Sequence, residues 1–535
     1  MLGSGIHQIE IVFLLLLLFV VVFGVLARRL QIPYPIVMVI GGLFLSFVPG
    51  IPMITLNSDL VFFVILPPLL YSAAWTTSWR EFKYNLVSIF LLAFGLVTFT
   101  TIGVTQAGQW LFPAFDWRIG LVLGAIVAPT DAIAATSIAK RLGLPRRMVD
   151  ILEGESLLND ATALLALEFG IGLLMQGHVP TFAEGFTRLC YLTLVGIGVG
   201  LLIGQIVHRI EHQLDDAPIE IVLSILTCYI AYLAADFIHA SGVLSVVTCG
   251  LYLSRKSSHF FSPTVRLQAW AVWDSLTFVL NGLVFVLIGL QLHFVMGAIQ
   301  DHNLRTLFVY GLSFSGFLIL LRLIWMFPGA YLANVIRRSL LHQHEPMPSA
   351  RSIFVVGWTG MRGVVSLAAA IALPQTLADG SPFVQRNLII FLAFSVILVT
   401  LVLQGLTLPS LIRALGVAGS DERSEEQEAR KIILQAALNH LEQAREKDEV
   451  AFPEIYIDVA QHYRSRLAAL AENPDDSDSD FDPHFHDRYT ELSRELLGVE
   501  RQTAIQLRNR GRIGDDLLRE IERELDLGEG RLKTK

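Results

Sequence analysis

The strongest constraint on this chain of 535 residues is a series of apolar runs near the length that crosses a bilayer. A helix needs about 20 mostly apolar residues to span hydrocarbon. Thirteen segments between residues 8 and 411 meet or approach that length, give or take one, since 33–49 and 240–254 are short. Open strand edges have no partner in lipid, so every span is expected to be a helix. Composition agrees. The chain is 53% hydrophobic and only 16% charged, where soluble domains run near about 25% charged.

Charge divides the chain in two. Residues 417–535 hold 18 Lys/Arg and 28 Asp/Glu, so residues 1–416 hold the remaining 22 and 20. The expected organisation is a membrane domain over 1–416 and a charged helical tail over 417–535. Tail helices are expected at 424–447, 454–472 and 487–527, the last breaking near Gly511, with an acidic linker NPDDSDSDFDPH before it. Loops after the odd-numbered spans carry 15 Lys/Arg; loops after the even-numbered ones carry only Arg118, Arg188, Arg305 and Arg386. That asymmetry puts the odd side and the tail in the cytoplasm and the N-terminus outside. The first apolar run has no basic region before it and reads as a retained span rather than a signal peptide. No basic domain suggests nucleic acid. Cys190, Cys228 and Cys249 sit in apolar runs without CxxC spacing, which gives no disulfide framework or zinc site. There is no HExxH, Walker loop or Ser/His/Asp pattern, so nothing points to an enzyme or to a cofactor.

Ionisable groups inside spans cost about 2.5–3.5 kcal/mol each on insertion scales, so those present must pair, reach water or act. Span five, 117–139, contains APTDA. Pro129 interrupts the helix, and Thr130 and Asp131 follow near mid-span. The alternative is a plain proline kink with Asp131 as a local cap. Span six, 151–176, carries Glu155, Ser156, Asn159 and Asp160. The spacing of four joins Glu155 to Asn159 and Ser156 to Asp160 on adjacent turns, forming one polar stripe. Glu155 could simply mark a helix start, but Asp160 lies deep among alanines and leucines. Span twelve, 352–374, surrounds Thr359 and Arg362 with Gly357, Gly360 and Gly363. It is expected to be a second interruption, with Glu155 as the natural partner of Arg362. Arg322 lies in span eleven, where it either supports the site or snorkels to the cytoplasmic edge. Span ten carries Trp273, Asp274, Asn281 and Gln291, a polar face for a cavity or subunit boundary.

The interruptions fall in the fifth and twelfth spans. Spans one to six and eight to thirteen then form candidate repeats, with span seven as linker. An offset of seven spans inverts one repeat against the other. Paired broken helices in inverted repeats point to a secondary transporter with a midplane site.

Six motifs carry a resemblance: APTDA (128–132), GESLLND (154–160), GMRGVVSLA (360–368), LVLQGLTLP (401–409), LPPLLYSAAW (66–75) and FVLNGLVFVLIGLQL (278–292). Together they resemble bacterial sodium/proton antiporters of the monovalent cation:proton antiporter-1 family. The resemblance implies an all-α membrane fold of about thirteen spans, with two inverted six-helix repeats and crossed discontinuous helices, assembled as a homodimer in the inner membrane. It implies that Asp160 is the carboxylate shared by cation and proton. Thr130, Ser156 and Glu155 would complete a Na⁺ site, Asn159 would orient the broken helix, Asp131 would stabilise its ends, and Arg362 would pair with Glu155. No cofactor is implied beyond the transported Na⁺, Li⁺ or K⁺ and H⁺. The sequence departs from the family at Asp274 and Asp236, where glutamate is frequent.

The expected reaction is one-for-one exchange, because position 159 is an amide rather than a second acid. The alternatives are K⁺/H⁺ exchange on the same fold, a proton-coupled solute carrier, and a channel or sensor governed by the tail.

Overall fold

A computed structural model describes residues 2–48, 58–112, 115–176, 181–214, 216–260, 262–297, 303–343, 346–377, 380–417, 421–447, 453–468, 484–510, 521 and 524–530. Every regular element among them is helical; an isolated bridge joins Thr376 and Pro382. The chain divides into two compact units, Met1–Gly419 and Ser420–Lys535.

Among the described residues, nine helices of the first unit are long and apolar enough to cross a membrane. The other expected spans fall on Tyr34–Leu45, on Leu60–Thr76, on Gly242–Phe260, and on the broken pair Ala350–Trp358 and Val364–Ile371. Length and apolarity alone thus return nine rather than thirteen, because these four are short, interrupted or polar at one end. Leu14, Leu18 and Val21 are more than half exposed on the first helix, as suits a face whose neighbour is hydrocarbon.

Lipid is as apolar as leucine, so helices associate by close packing at small residues. Helix Tyr34–Leu45 crosses helix Pro263–Gly297 at Gly42 and Gly289. A Cβ on Gly42 would strike the Val286 carbonyl, and one on Gly289 the Val39 carbonyl. On the other side of the unit, Gly120 and Gly124 bring helix Trp117–Val127 against the backbone of Thr105 and Thr101. Of the span-ten polar residues, Trp273, Asn281 and Gln291 are buried and Asp274 is exposed. Trp273 Nε1 donates to Ser224 Oγ at 3.1 Å. The three cysteines are free thiols.

The second unit contains helices Asp421–Lys447, Pro453–Ala468 and His484–Asn509. Leu434 and Leu438, four residues apart, are buried in it. The acidic linker before Pro483 and the break at Gly511 lie outside the described residues.

Because the Gly42–Gly289 crossing has no room for side chains, Gly289→Leu should lower the thermal midpoint, with a penalty of about 1–3 kcal/mol or more from overpacking. Gly172 has nothing within 4 Å of its Cβ position, so Gly172→Ala should leave the midpoint nearly unchanged. Equal losses in both would show that the crossing is not specially tight.

Candidate ion site

Span five ends its first helix, Trp117–Val127, just before Pro129 and restarts at Ala132–Arg141. Proline supplies no N–H and disfavours helix in the residue before it, which accounts for the break. Asp131 caps the restart, its carboxylate accepting from Ile133 N at 2.8 Å. Span twelve breaks over residues 359–363, between helices Ala350–Trp358 and Val364–Ile371. The two interruptions touch. Asp131 N donates to Met361 O at 2.8 Å, and Gly363 leaves room for the Asp131 side chain where any Cβ would collide.

Helix Arg146–Gln176 runs beside this crossing and brings its polar stripe to it. Asn159 Nδ2 donates to Thr130 O at 3.1 Å and to Thr130 Oγ1 at 2.8 Å. Thr130 Oγ1 donates in turn to Glu155 Oε1 at 2.7 Å. Ser156 Oγ accepts from Ala132 N at 3.3 Å.

The partner of Glu155 corrects the expectation. It is Arg322, whose Nη1 and Nη2 reach Oε1 and Oε2 at 2.5 and 2.9 Å. Arg322 is 1% exposed and does not snorkel. Its Nε donates to Gly357 O at 3.1 Å and its Nη2 to Val356 O at 3.4 Å. The guanidinium therefore also holds the carbonyl end of helix Ala350–Trp358, where the helix dipole favours a cation. Gly360 makes the room, since a Cβ there would overlap Arg322. Arg362 is buried too, but it points to the other break. Its Nη1 donates to Ala128 O at 2.7 Å, while its backbone N donates to Thr400 Oγ1 at 3.1 Å. Both arginines thus bond carbonyls at a helix interruption, and the fork of Arg322 is the one within reach of Glu155.

Asp160 stands apart. It is 8% exposed, and no hydrogen bond or ion pair reaches its carboxylate among the described residues. It lines a cavity of about 150 Å³ together with Pro129, Thr130, Asp131, Ser156 and Gly363. Of the six residues expected at the ion, Thr130, Asp131, Ser156 and Asp160 line the cavity, while Glu155 and Asn159 bond Thr130 from behind it, and Arg322 and Arg362 are outside the lining. Oxygen donors around a carboxylate in a small cavity suit a hard monovalent cation, and a bare carboxylate there equally suits a proton.

Two features were missed in the sequence. Glu153 also lines the cavity and is paired to Lys140 Nζ at 2.7 Å. Its spacing of three to Ser156 and seven to Asp160 places it on their helix face, a signal that was legible. Thr400 lies in a wide-turned stretch, Thr400–Gln404, and nothing in its apolar context marked it.

Comparison with known proteins identifies the family. The sodium/hydrogen exchanger transmembrane family matches residues 14–414. This chain belongs to that family. It is a multi-pass membrane transporter rather than an enzyme, and its substrates are cations and protons. An uncharacterized Na⁺/H⁺ exchanger of Mycobacterium tuberculosis is 34% identical over 525 residues, covering 96% of this chain and 94% of the relative. A sodium, potassium, lithium and rubidium/H⁺ antiporter of Bacillus pumilus is 32% identical over 83% of this chain and 67% of its own length. A Na⁺/H⁺ antiporter of Aphanothece halophytica is 33% identical over 77% of this chain and 75% of its own length. The sodium proton antiporter MjNhaP1 of Methanocaldococcus jannaschii shares the fold, with TM-score 0.57 and 20% identity over 77% of this chain and all of that one.

Removing one partner of a buried ion pair costs about 3–5 kcal/mol, much of it from the charge left behind. Arg322→Met should therefore destabilise by that order, and Glu155→Leu with Arg322→Met should recover a large part of it. A double-mutant cycle on thermal or denaturant unfolding measures the coupling. Additive losses would mean that the pair carries no coupling.

Proposed function

We propose that this chain exchanges a monovalent cation, Na⁺ or Li⁺, for H⁺ across the bacterial plasma membrane, one for one, by competition at Asp160. The supporting observation is the contrast between two buried acids of one helix. Glu155 is neutralised by Arg322, whereas Asp160 has no ion-pair partner among the described residues and faces a cavity. A bare carboxylate in a low-dielectric site is costly, and either a proton or a cation removes the charge. The occupied forms are then the ones that cross, which enforces exchange. Thr130, Ser156 and Asp131 supply oxygens beside Asp160; Glu155 and Asn159 hold the Thr130 segment in place. Position 159 contributes no second charge, so the exchange is electroneutral.

In this reading the membrane domain has thirteen spans in two inverted repeats, the N-terminus outside and the tail inside. The broken spans and Arg146–Gln176 move together against a scaffold that forms a homodimer. The exchange regulates cytoplasmic pH and sodium. A cavity of about 150 Å³ is small beside the roughly 300–1,000 Å³ of organic-ligand pockets, which speaks against a solute carrier. A second selectivity, including K⁺, draws support from the Bacillus pumilus relative and its printed range of cations.

Asp160→Asn should abolish cation-driven proton flux in proteoliposomes while the protein still folds and purifies normally; retained exchange would remove Asp160 from its role. With Na⁺, Li⁺ and K⁺ tested separately, flux should be insensitive to imposed voltage, and net charge movement would reject one-for-one exchange. Competition also sets a pH dependence. In the range where the carboxyl is mostly protonated, each unit of acidification should raise the apparent KM for cation about tenfold without changing the maximal rate. A KM that ignores pH throughout would refute shared occupancy.

A further inference from the structure

A second cavity, of about 310 Å³, lies between helices Trp79–Phe90, Arg146–Gln176, Leu304–Leu340 and Ala350–Trp358. Asp160 is not among its lining residues. Each of the four segments contributes a polar residue toward one end of the cavity, and the lining residues about a turn away along the chain are apolar, except Asn334 beside Ala333. Ser88 is followed by Leu92, Arg147 by Ile151, and Ser352 by Val356. The helix of Arg337 runs the opposite way, from Met326 through Ala333 to Arg337, a rise of about 16 Å. Among the described residues, no lining side chain is acidic.

Arg337 is 5% exposed, and its Nη2 donates to Asn85 Oδ1 at 3.2 Å and Ser88 Oγ at 3.1 Å. These two bonds tie the guanidinium to helix Trp79–Phe90. Two arginines and small hydrogen-bonding groups at one end, with aliphatic walls beyond, match a molecule that is anionic at its head and apolar behind it. A membrane protein is surrounded by such molecules. We propose that this cavity is a binding site for an acidic phospholipid, with Arg337 and Arg147 on the headgroup phosphate and the start of one acyl chain against Ile151, Met326 and Val356. The deep wall belongs to the layer that holds the ion pair: Val356 O accepts from Arg322, and Met326 is one turn beyond Arg322. A seated lipid therefore braces the helix whose far end enters the second interruption.

The test is thermal unfolding of the full chain in detergent, titrated separately with dioleoyl phosphatidylglycerol, dioleoyl phosphatidylcholine and inorganic phosphate. Phosphatidylglycerol alone should raise the midpoint saturably. Arg337→Gln should shift the half-saturating concentration upward by about tenfold or more, the loss expected for a charge-assisted hydrogen bond. Because Arg337 also ties Asn85 and Ser88, that variant risks misfolding. Ala333→Phe fills the cavity, keeps both charges and should abolish the rise. Arg338→Gln, at an exposed neighbour outside the lining, should keep it. Equal shifts with both lipids, a full rise in Ala333→Phe, or a rise reproduced by phosphate alone would each overturn the proposal.

Discussion

A helix broken at membrane depth leaves amides and carbonyls with no water to bond, and the rest of the membrane unit is arranged around that debt. Each end finds a partner on another segment. Asp131 N reaches Met361 O, so one interruption caps the other. Arg362 bonds Ala128 O, Asn159 bonds Thr130 O, and Arg322 bonds Gly357 O and Val356 O. Polar residues that look like a crowded binding site are therefore mostly engaged in holding open backbone in place.

A buried ion pair gains little over apolar packing unless its remaining hydrogen-bonding capacity is used. Here it is used. Glu155 accepts from Thr130 as well as from Arg322, and Arg322 reaches two carbonyls beyond Glu155. The pair thus joins three segments: the helix of the carboxylates, the first interruption and the second. Fixing one acid so fully separates it in character from the other, about 7.5 Å of helix rise away at about 1.5 Å per residue.

Much of this was legible because lipid makes charge conspicuous. Pro129, the stripe from Glu155 to Asp160 and the glycines around Arg362 stand out against apolar sequence, and the structure brings all three segments together. The choice between Arg322 and Arg362 was not legible. Both lie in apolar spans, and only the direction of each side chain decides which reaches Glu155. Length was also a poor guide where spans are broken, as Ala350–Trp358 and Val364–Ile371 are each too short to be recognised alone. Glu153 sits near the end of its span, where an acid needs no special explanation.

The amide at position 159 spends its Nδ2 on the Thr130 segment, bonding both the carbonyl and the hydroxyl. An acid in its place has no N–H to offer. Replacing the amide with an acid would therefore unfasten the peptide beside the cavity that Asp160 lines. Charge and mechanical support are thus coupled at this position: a side chain that adds a negative charge there removes the donor that fastens Thr130.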